Sequence, residues 1–523
     1  MEAFFQPTLS APVQSLLRCS YGVLLFLTLA QTVVQARRFF VSDRWGGYAQ
    51  SDRRVDLVQN PYALPVVLGL WMACAALITV GRWSVAASFV NLLFCRYFFV
   101  AMRWKGVLRG MGAPGFMTYW CAACVFFLEY GAAYDPTGAV RNAAIFTFRL
   151  DFAAIMLCAG TYKWLAGYAR NDGMELGMIN PWWGYWGSLY GRLRPSHWVF
   201  RALNHLAYLT ELAAGILMLL PPTQLLGALL IFASFAFIAL HIRLGFLCEM
   251  VMLCCLLFVP PGSVTDGLLA AIAPDPPATA ALAAPAWLNV ALCTALYAYA
   301  ALLPLAKGGL YYNFLARRRI PGPLQSALEW YTNWFGIIIW RVFSADHTNF
   351  WARIWFQDRA RGTRVEAARF GELGAKRAFR YAHVGEFICL VSLFTTLKYY
   401  ASESPLFPQR VLRYCRTLGC PVGSDVVFEY MRIRKDRGRF ESVVVAEYVV
   451  DVPAGTVTER ILDHLFSPRL AGPGSPIHKG FKPGSYVWME LPADASPTAE
   501  SAREPSDHAR IGGVNTNADK GAR

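Results

Sequence analysis

Lys163 is the residue of this sequence best placed for chemistry, because it lies inside the apolar run Ala143–Leu165 in the phrase AGTYKWLAGY. An ionisable side chain at membrane depth costs roughly 2.5 to 3.5 kcal/mol on insertion scales, so it usually faces a partner, a cavity or a reacting group. Projected at about 100° per residue, three residues share one narrow helical stripe with it: Arg149, Gly160 and Gly167. Because this stripe contains two basic residues and two glycines, we predict that this face of the helix packs against protein rather than lipid. The open alternative is a lysine that extends from the helix end to the headgroups.

A second polar stripe is predicted on a later helix, in the phrase RALNHLAYLTELAAGIL. Asn204, Tyr208 and Glu211 lie within about 60° of one another on such a helix, so they form a polar seam that faces protein. Glu211 is the natural partner for Lys163 or Arg149. A paired carboxylate in a bundle can also be purely structural, and this alternative stays open.

A third group of polar residues interrupts an apolar stretch in the phrase ALHIRLGFLCEM, which contains His241, Arg243 and Glu249. The predicted topology places them near the same membrane face as Lys163. A neutral imidazole close to a lysine can shuttle protons near pH 7. Taken alone, His241 is more typical of a histidine at a helix end.

The chemistry that these residues allow begins with desolvation, which favours the neutral amine of a buried lysine. A neutral Lys163 can act as a base toward a weak acid such as a hydroquinone, or as a nucleophile toward a carbonyl. The sequence contains no phosphate loop, no zinc quartet and no Ser-His-Asp order, and we predict no metal. Cys121 and Cys124 form a CxxC pair inside an apolar run, where thiols act as small hydrophobes.

The elements that must position these residues are transmembrane helices. With 56% apolar residues, 16% charged residues and a mean hydropathy of +0.35, the chain is that of a polytopic membrane protein. Nine spans are predicted, and the fold class is an all-α bundle of about nine transmembrane helices with a smaller α+β C-terminal region. The spans are Tyr21–Val34, Tyr62–Val80, Val85–Val100, Phe116–Tyr130, Ala143–Leu165, Leu206–Leu220, Leu225–Leu240, Leu244–Val259 and Pro285–Leu305.

The formal net charge of +15 is distributed in a way that predicts orientation rather than nucleic-acid binding. The basic residues concentrate in alternate loops, so the positive-inside rule places the N-terminus outside and the C-terminal region in the cytoplasm. This arrangement needs an odd number of spans. No signal peptide is expected in the phrase MEAFFQPTLSAPVQ, and we predict a multi-pass protein of the plasma (inner) membrane whose partner is lipid.

Three regions are expected along the chain: a transmembrane bundle at residues 1–306, a soluble or interfacial α+β region at 307–492, and a disordered tail at 493–523. Period-two alternation predicts strands at Thr348–Gln357 and Asp425–Val452, the latter a hairpin turning at Lys435–Gly438. The apolar stretch Ile388–Thr396 is too short to cross a bilayer, so Arg377–Tyr400 is interpreted as a buried or interfacial helix. The long loop Ala169–Arg201 carries four tryptophans, which suit anchoring at the headgroups.

Three phrases together resemble the HTTM (horizontally transferred transmembrane) family, to which the vitamin K-dependent γ-glutamyl carboxylases are related. They are AGTYKWLAGYARNDGMELG, NHLAYLTELAAGILML and FIALHIRLGFLCEM, and the likeness runs over roughly Ser15 to Arg319. The resemblance implies a polytopic α-helical fold and a reduced, vitamin K-like quinone as cofactor. It implies that Lys163 is the base that deprotonates the hydroquinone, and it matches His241 to a later histidine of the family. One departure is the phrase RWKGVLRGMGAPGFM, which has no histidine where the carboxylase has one.

Three functions compete on this evidence. The first is a carboxylase-like (carbon-carbon lyase type) membrane enzyme with Lys163 as base and His241 assisting, whose quinol is surrounded by Arg149, Asn204, Tyr208, Glu211 and Arg243. The second is a non-catalytic maturation or assembly factor that binds a peptide or protein client through its C-terminal region, with the hairpin Asp425–Val452 as the sensitive element. The third, a transporter, is disfavoured because the sequence has no internal repeat and no pair of broken helices.

Overall fold

The computed structural model of the protein describes residues 7–102, 112–165, 168, 173–275, 283–316, 320, 322–338, 348–367, 384–399, 407–436, 438–463 and 510–511. Sixteen α-helices occur in these ranges. In chain order they are α1 Ala11–Phe39, α2 Arg53–Val58, α3 Ala63–Val80, α4 Ser84–Cys95, α5 Gly112–Tyr134, α6 Ala139–Leu165, α7 Gly173–Ile179, α8 Gly187–Tyr190, α9 Trp198–Leu219, α10 Gln224–His241, α11 Leu247–Cys254, α12 Val264–Ala270, α13 Ala286–Ala316, α14 Pro323–Phe335, α15 Val384–Tyr399 and α16 Phe407–Arg416. A π-helical turn, Arg96–Ala101, continues α4.

Eight of the described helices are long and apolar enough to cross a membrane, namely α1, α3, α4 with its π-helical turn, α5, α6, α9, α10 and α13. The protein is therefore a multi-pass helical bundle, as predicted. Eight of the nine predicted spans have a matching long helix among the described residues. The ninth, Leu244–Val259, contains only α11 and a 3-10 turn, Cys255–Phe258. Together they cover about 20 Å, which is less than the roughly 30 Å of a hydrocarbon core.

The short α11 segment nevertheless connects two opposite ends of the bundle. Just before it, Arg243 N donates to Trp183 O at 2.7 Å. Near its end, Leu257 O accepts from Arg149 Nε at 2.5 Å, and Arg149 Nη2 also donates to Thr8 O, which precedes α1. Its residues are apolar because protein surrounds them, and this explains why composition alone mistook the segment for a full span.

Helices α6 and α9 pack closely through two glycines. A Cβ added at Gly160 would lie 2.9 Å from the backbone oxygen of Tyr208, and one added at Gly215 would lie 2.9 Å from the backbone nitrogen of Leu157. Only glycine allows this approach without separating the helices. The contact brings Lys163 on α6 opposite Glu211 on α9. Gly167, the fourth member of the predicted stripe, lies outside the described residues.

Helix α14 folds back along α13. Asn313 Nδ2 donates to Gln325 Oε1 at 2.9 Å near the start of α14, and Tyr331 Oη donates to Tyr299 O at 3.1 Å near its end. Because Tyr299 lies near the middle of α13, α14 reaches roughly half the depth of the bundle. Helix α13 itself continues to Ala316, beyond the residue 306 at which the bundle was expected to end.

The C-terminal region contains a six-stranded antiparallel sheet with the order β2-β1-β3-β4-β5-β6. Its strands are β1 Phe350–Asp358, β2 Arg364–Glu366, β3 Ser424–Asp436, β4 Arg439–Asp451, β5 Thr456–Ile461 and β6 Arg510–Ile511. The predicted strand at Thr348–Gln357 and the predicted hairpin at Asp425–Val452 are both present. Strand β6 belongs to the range in which a disordered tail was predicted; the other residues of 493–523 lie outside the described residues.

Helices α15 and α16 cover one face of this sheet. The Phe394 ring lies 5.1 Å from that of Tyr430 and 6.2 Å from that of Phe428, and Phe407 on α16 lies 6.0 Å from Phe394. Helix α15 is thus a buried helix of the C-terminal region, one of the two interpretations that its length allowed.

The C-terminal region attaches to the end of the bundle opposite Thr8. Arg38, at the end of α1, donates from Nη2 to Glu386 Oε1 of α15 at 2.9 Å. The Trp182 ring stacks on Phe387 of the same helix with 5.3 Å between ring centroids. Trp182 and Trp183 are therefore buried against protein rather than anchored in headgroups, because α15 covers them.

Candidate functional site

An ion pair between Lys163 and Glu211 forms the centre of the candidate site. Lys163 Nζ lies 2.5 Å from Glu211 Oε1, and the two residues are 3% and 1% exposed. The predicted pairing of Glu211 with Lys163 is present. Because both partners are withdrawn from water, removal of either one would leave a buried charge without compensation, at a cost of about 3 to 5 kcal/mol.

Two polar atoms next to this pair lack hydrogen-bond partners. Glu211 Oε2 and the Tyr168 hydroxyl are both buried, and neither has a partner among the described residues. The Tyr168 ring centroid lies 6.0 Å from Lys163 Nζ. An unsatisfied buried polar atom costs about 1 to 3 kcal/mol and requires a specific explanation. A free acceptor and a free donor beside one lysine are what a site for a small polar group requires.

A wide turn at the C-terminal end of α6 brings Tyr168 to the site. The backbone N–H of the tyrosine donates to Lys163 O at 2.9 Å across this turn. Burial raises the pKa of the Tyr168 phenol well above its usual value, and the neighbouring Glu211 and Tyr162 add to the rise. The hydroxyl therefore keeps its proton and is a hydrogen-bond donor. Tyr168 was not predicted as a site residue; the available signal was its position just after Lys163 in the phrase AGTYKWLAGY.

The predicted seam on α9 is buried, but only Glu211 contacts Lys163. Asn204 Oδ1 accepts a hydrogen bond from Met174 N of α7 at 2.9 Å. The hydroxyl of Tyr208 forms a 2.8 Å hydrogen bond with His205 Nδ1. Asn204 therefore holds the segment that follows the site, while Tyr208 is engaged elsewhere.

The end of the site is covered by α7, which the C-terminal region holds in turn. Glu175 of α7 is buried and accepts from Ser196 N at 2.8 Å and from Lys435 Nζ at 2.9 Å. Lys435 lies near the tip of the β3–β4 hairpin. On the same hairpin, the Phe440 ring lies 6.0 Å from that of Phe200 on α9. The hairpin thus links the C-terminal region to the segment that closes the Lys163 end of the bundle.

His241 and Arg243 lie at the same end of the bundle as Lys163, as predicted, but in a different contact. His241 Nδ1 donates to Phe237 O at 2.8 Å, since a carbonyl can only accept, and its ring stacks on Phe237. Arg243 lies over the Tyr185 ring at 5.1 Å. Among the described residues, His241 contacts neither Lys163 nor Glu211, so its assignment as an assisting base stays a prediction.

Arg149 lies far from Lys163 despite sharing its helical stripe. The two residues are separated by roughly 21 Å along α6, since each residue advances the helix by about 1.5 Å. Arg149 instead lines a pocket with Met218 and Gln224 near the opposite end of the bundle. The structure therefore does not bring Arg149 to the ion pair.

A second buried charge pair, Asp151 and Lys307, was not singled out from the sequence. Asp151 was an available signal, because an acidic residue inside the predicted span Ala143–Leu165 requires a partner. Lys307 falls one residue beyond the expected end of the bundle, residue 306. Its burial follows from α13 continuing past the predicted boundary.

Comparisons of the chain with protein-family models, with curated proteins and with solved structures gave no match.

Proposed function

We propose that this protein is an integral membrane enzyme in which Lys163, Glu211 and Tyr168 bind a lipid-soluble hydroquinone-like compound and move the proton of its hydroxyl. The observation that carries the proposal is the buried ion pair with two unsatisfied atoms beside it, Glu211 Oε2 and the Tyr168 hydroxyl. The resemblance to the HTTM family suggests the same class of compound and a carboxylase-like reaction.

The donor and acceptor set fits a hydroxylated ring. Glu211 Oε2 can accept a hydrogen bond from a hydroxyl, and the Tyr168 hydroxyl can donate one to an oxygen of the same compound. When bound, a hydroquinone supplies an acidic hydroxyl. The close packing of α6 on α9 and the cover formed by α7 keep water from the ion pair.

The ion pair itself can hold the proton in two ways. The proton shared by Lys163 and Glu211 leaves either an ammonium beside a carboxylate or an amine beside a carboxylic acid. With the ammonium beside the carboxylate, the free Glu211 Oε2 can accept the hydroxyl proton, so that the O–H bond of the compound breaks as the Oε2–H bond forms. The Lys163 ammonium then stabilises the negative charge left on the ring oxygen.

The experiment that tests this function is extraction of lipids from the purified protein followed by mass spectrometry. We expect a quinone to co-purify with the wild type and to fall at least about tenfold in Lys163→Met and Glu211→Gln, since each variant removes a hydrogen bond to a charged group. Glu129→Gln is the matched control, because Glu129 is another buried carboxylate of the bundle that pairs with Arg18.

Equal quinone content in all four samples, or only bulk phospholipid in each, would overturn the proposal. The alternative, a maturation or assembly factor that binds a client through the β3–β4 hairpin, predicts that the Lys163 variants keep function. In that case changes in the exposed residues of the hairpin would be the ones that abolish it.

A further inference from the structure

The buried pair Asp151 and Lys307 lies apart from the Lys163 site. The two residues are 2% and 6% exposed, and Asp151 Oδ1 lies 3.8 Å from Lys307 Nζ. Asp151 and Lys163 are on the same helix, α6, but are separated by roughly 18 Å along its axis. The two charge pairs are therefore distinct centres within the membrane-spanning bundle.

The hydrogen bonding of this second pair is incomplete on the side where the two charges meet. Asp151 Oδ2 accepts from Trp120 Nε1 at 3.0 Å and from the Tyr299 hydroxyl at 2.8 Å. The 3.8 Å between Oδ1 and Nζ is too long for a direct hydrogen bond. Among the described residues, nothing donates to Oδ1 and nothing accepts from Lys307 Nζ. A carboxylate oxygen and an ammonium thus face each other with unused capacity.

A hydroxyl group satisfies both sides of this gap. It can donate its proton to Asp151 Oδ1 and accept a hydrogen bond from Lys307 Nζ with its oxygen. An ether or ketone oxygen can accept from the lysine, but neither can donate to the carboxylate. A hydroxyl, either of water or of a bound alcohol, does both with one oxygen atom.

Aromatic rings surround the pair, and this favours a ring compound over water alone. The Trp120 ring lies 5.0 Å from Phe148, and the Tyr299 ring lies 5.1 Å from Phe335 and 6.2 Å from Tyr331. Rings at these separations are in direct edge-to-face or tilted contact, so they form an aromatic wall beside the pair. An apolar aromatic wall gives few hydrogen-bond partners for more than one water molecule.

The wall on one side is α14, which places the site next to lipid. Tyr331 and Phe335 face the pair through Tyr299, whereas Trp330 and Trp334 on the same helix are 65% and 54% exposed. Since α14 packs along the middle of the membrane-spanning α13, these exposed rings face hydrocarbon.

The C-terminal end of α14 also meets the π-helical turn Arg96–Ala101. The Arg96 guanidinium lies 5.0 Å from the Trp334 ring centroid, and a Cβ at Gly336 would lie 3.1 Å from Val100. Single π-helical turns inside helices are frequent at functional sites. The turn Arg96–Ala101 contacts α14, the same helix whose rings line the Asp151–Lys307 pair.

We infer that Asp151 and Lys307 form a second binding site, which takes the hydroxyl of a lipid-soluble aromatic alcohol that arrives from the bilayer beside α14. Trp120 and Tyr299 orient the carboxylate, and the rings of α14 contact the bound ring. The site is independent of the Lys163 ion pair and of the function proposed for it.

The test uses the full-length protein in lipid nanodiscs and two matched probes, 2-naphthol and 2-methoxynaphthalene, titrated by calorimetry. The probes share a ring system, but only the first can donate a hydrogen bond to Asp151. We expect saturable binding of 2-naphthol to the wild type, with an affinity at least about tenfold higher than that of the ether, as a hydrogen bond to a charged group implies.

Variants assign the binding to the pair. Asp151→Asn and Lys307→Met should each remove one hydroxyl-selective site from the titration, whereas Lys163→Met should leave that site in place. Combining either variant with Lys163→Met should abolish the preference for 2-naphthol. Equal affinity of the two probes for the wild type, or no saturable binding at all, would mean that the gap holds water only. A preference lost in Lys163→Met and kept in Asp151→Asn would move the bound alcohol to the first site. The comparison of the two probes on the wild type does not depend on how well any variant folds.

Discussion

At the scale of single residues, the candidate site is defined by what its polar atoms lack as much as by what they contact. Lys163 and Glu211 compensate each other's charge, but Glu211 Oε2 and the Tyr168 hydroxyl have no partners among the described residues. A purely structural ion pair gains nothing from a neighbouring hydroxyl that is buried and unsatisfied. The proposed binding of a hydroxylated compound would give both atoms a partner.

Tyr168→Phe separates stability from binding. The variant removes a buried hydroxyl that has no partner, so we expect the melting temperature in detergent to stay the same or to rise. Quinone retention should fall by roughly tenfold, because the donor to the bound oxygen is lost. Tyr162→Phe is the comparison at the same end of α6. A drop in melting temperature with unchanged quinone content would assign Tyr168 a structural role.

At the scale of elements, the close packing of α6 on α9 holds the ion pair together. Gly160 and Gly215 allow backbone atoms of the two helices to approach, and Lys163 lies one turn after Gly160. Helix α11 is as apolar as a membrane-spanning helix, but protein rather than lipid surrounds its residues. Its short length, more than its composition, distinguishes it from a span.

Gly160→Ala should push α6 and α9 apart. The added Cβ would lie 2.9 Å from the backbone atoms Tyr208 O and Leu212 N, which cannot move independently of α9. We expect a loss of about 1 to 3 kcal/mol in the free energy of unfolding, together with reduced quinone content. Gly69→Ala on α3 is the matched control, because its Cβ would meet nothing within 4 Å. If both variants unfold alike, the helix contact is not what positions the ion pair.

At the scale of the whole molecule, the C-terminal region touches the part of the bundle that closes the site. Lys435 near the hairpin tip contacts Glu175 of α7, and Asn204 on α9 accepts a hydrogen bond from Met174 N of the same helix. A partner that binds the C-terminal sheet could thus change the cover of the Lys163 site through one short helix. The orientation of this end toward the cytoplasm stays a prediction from the distribution of basic residues.

Lys435→Met should loosen α7 without unfolding the bundle. We expect faster hydrogen-deuterium exchange in residues 173–179, since the variant removes a charge-assisted hydrogen bond to a buried carboxylate. Arg460→Met is the control, because Arg460 is an exposed residue of the same sheet that pairs with Glu447 instead. Unchanged exchange in α7 for both variants would show that the hairpin does not hold it.

The sequence by itself determined the class of the protein, the protein-facing stripe that contains Lys163, the buried seam of Asn204, Tyr208 and Glu211, and the β3–β4 hairpin. These follow from local periodicity, since a side chain's face on a helix or strand depends only on spacing along the chain. Only the tertiary structure decided that Glu211 pairs with Lys163 rather than with Arg149, and that Asp151 lies opposite Lys307. It also decided that α14 folds back along α13 and that Tyr168 turns back beside the lysine. Such contacts join residues of different elements, and their distances are set by how the helices pack. Periodicity along one helix gives no information about that packing.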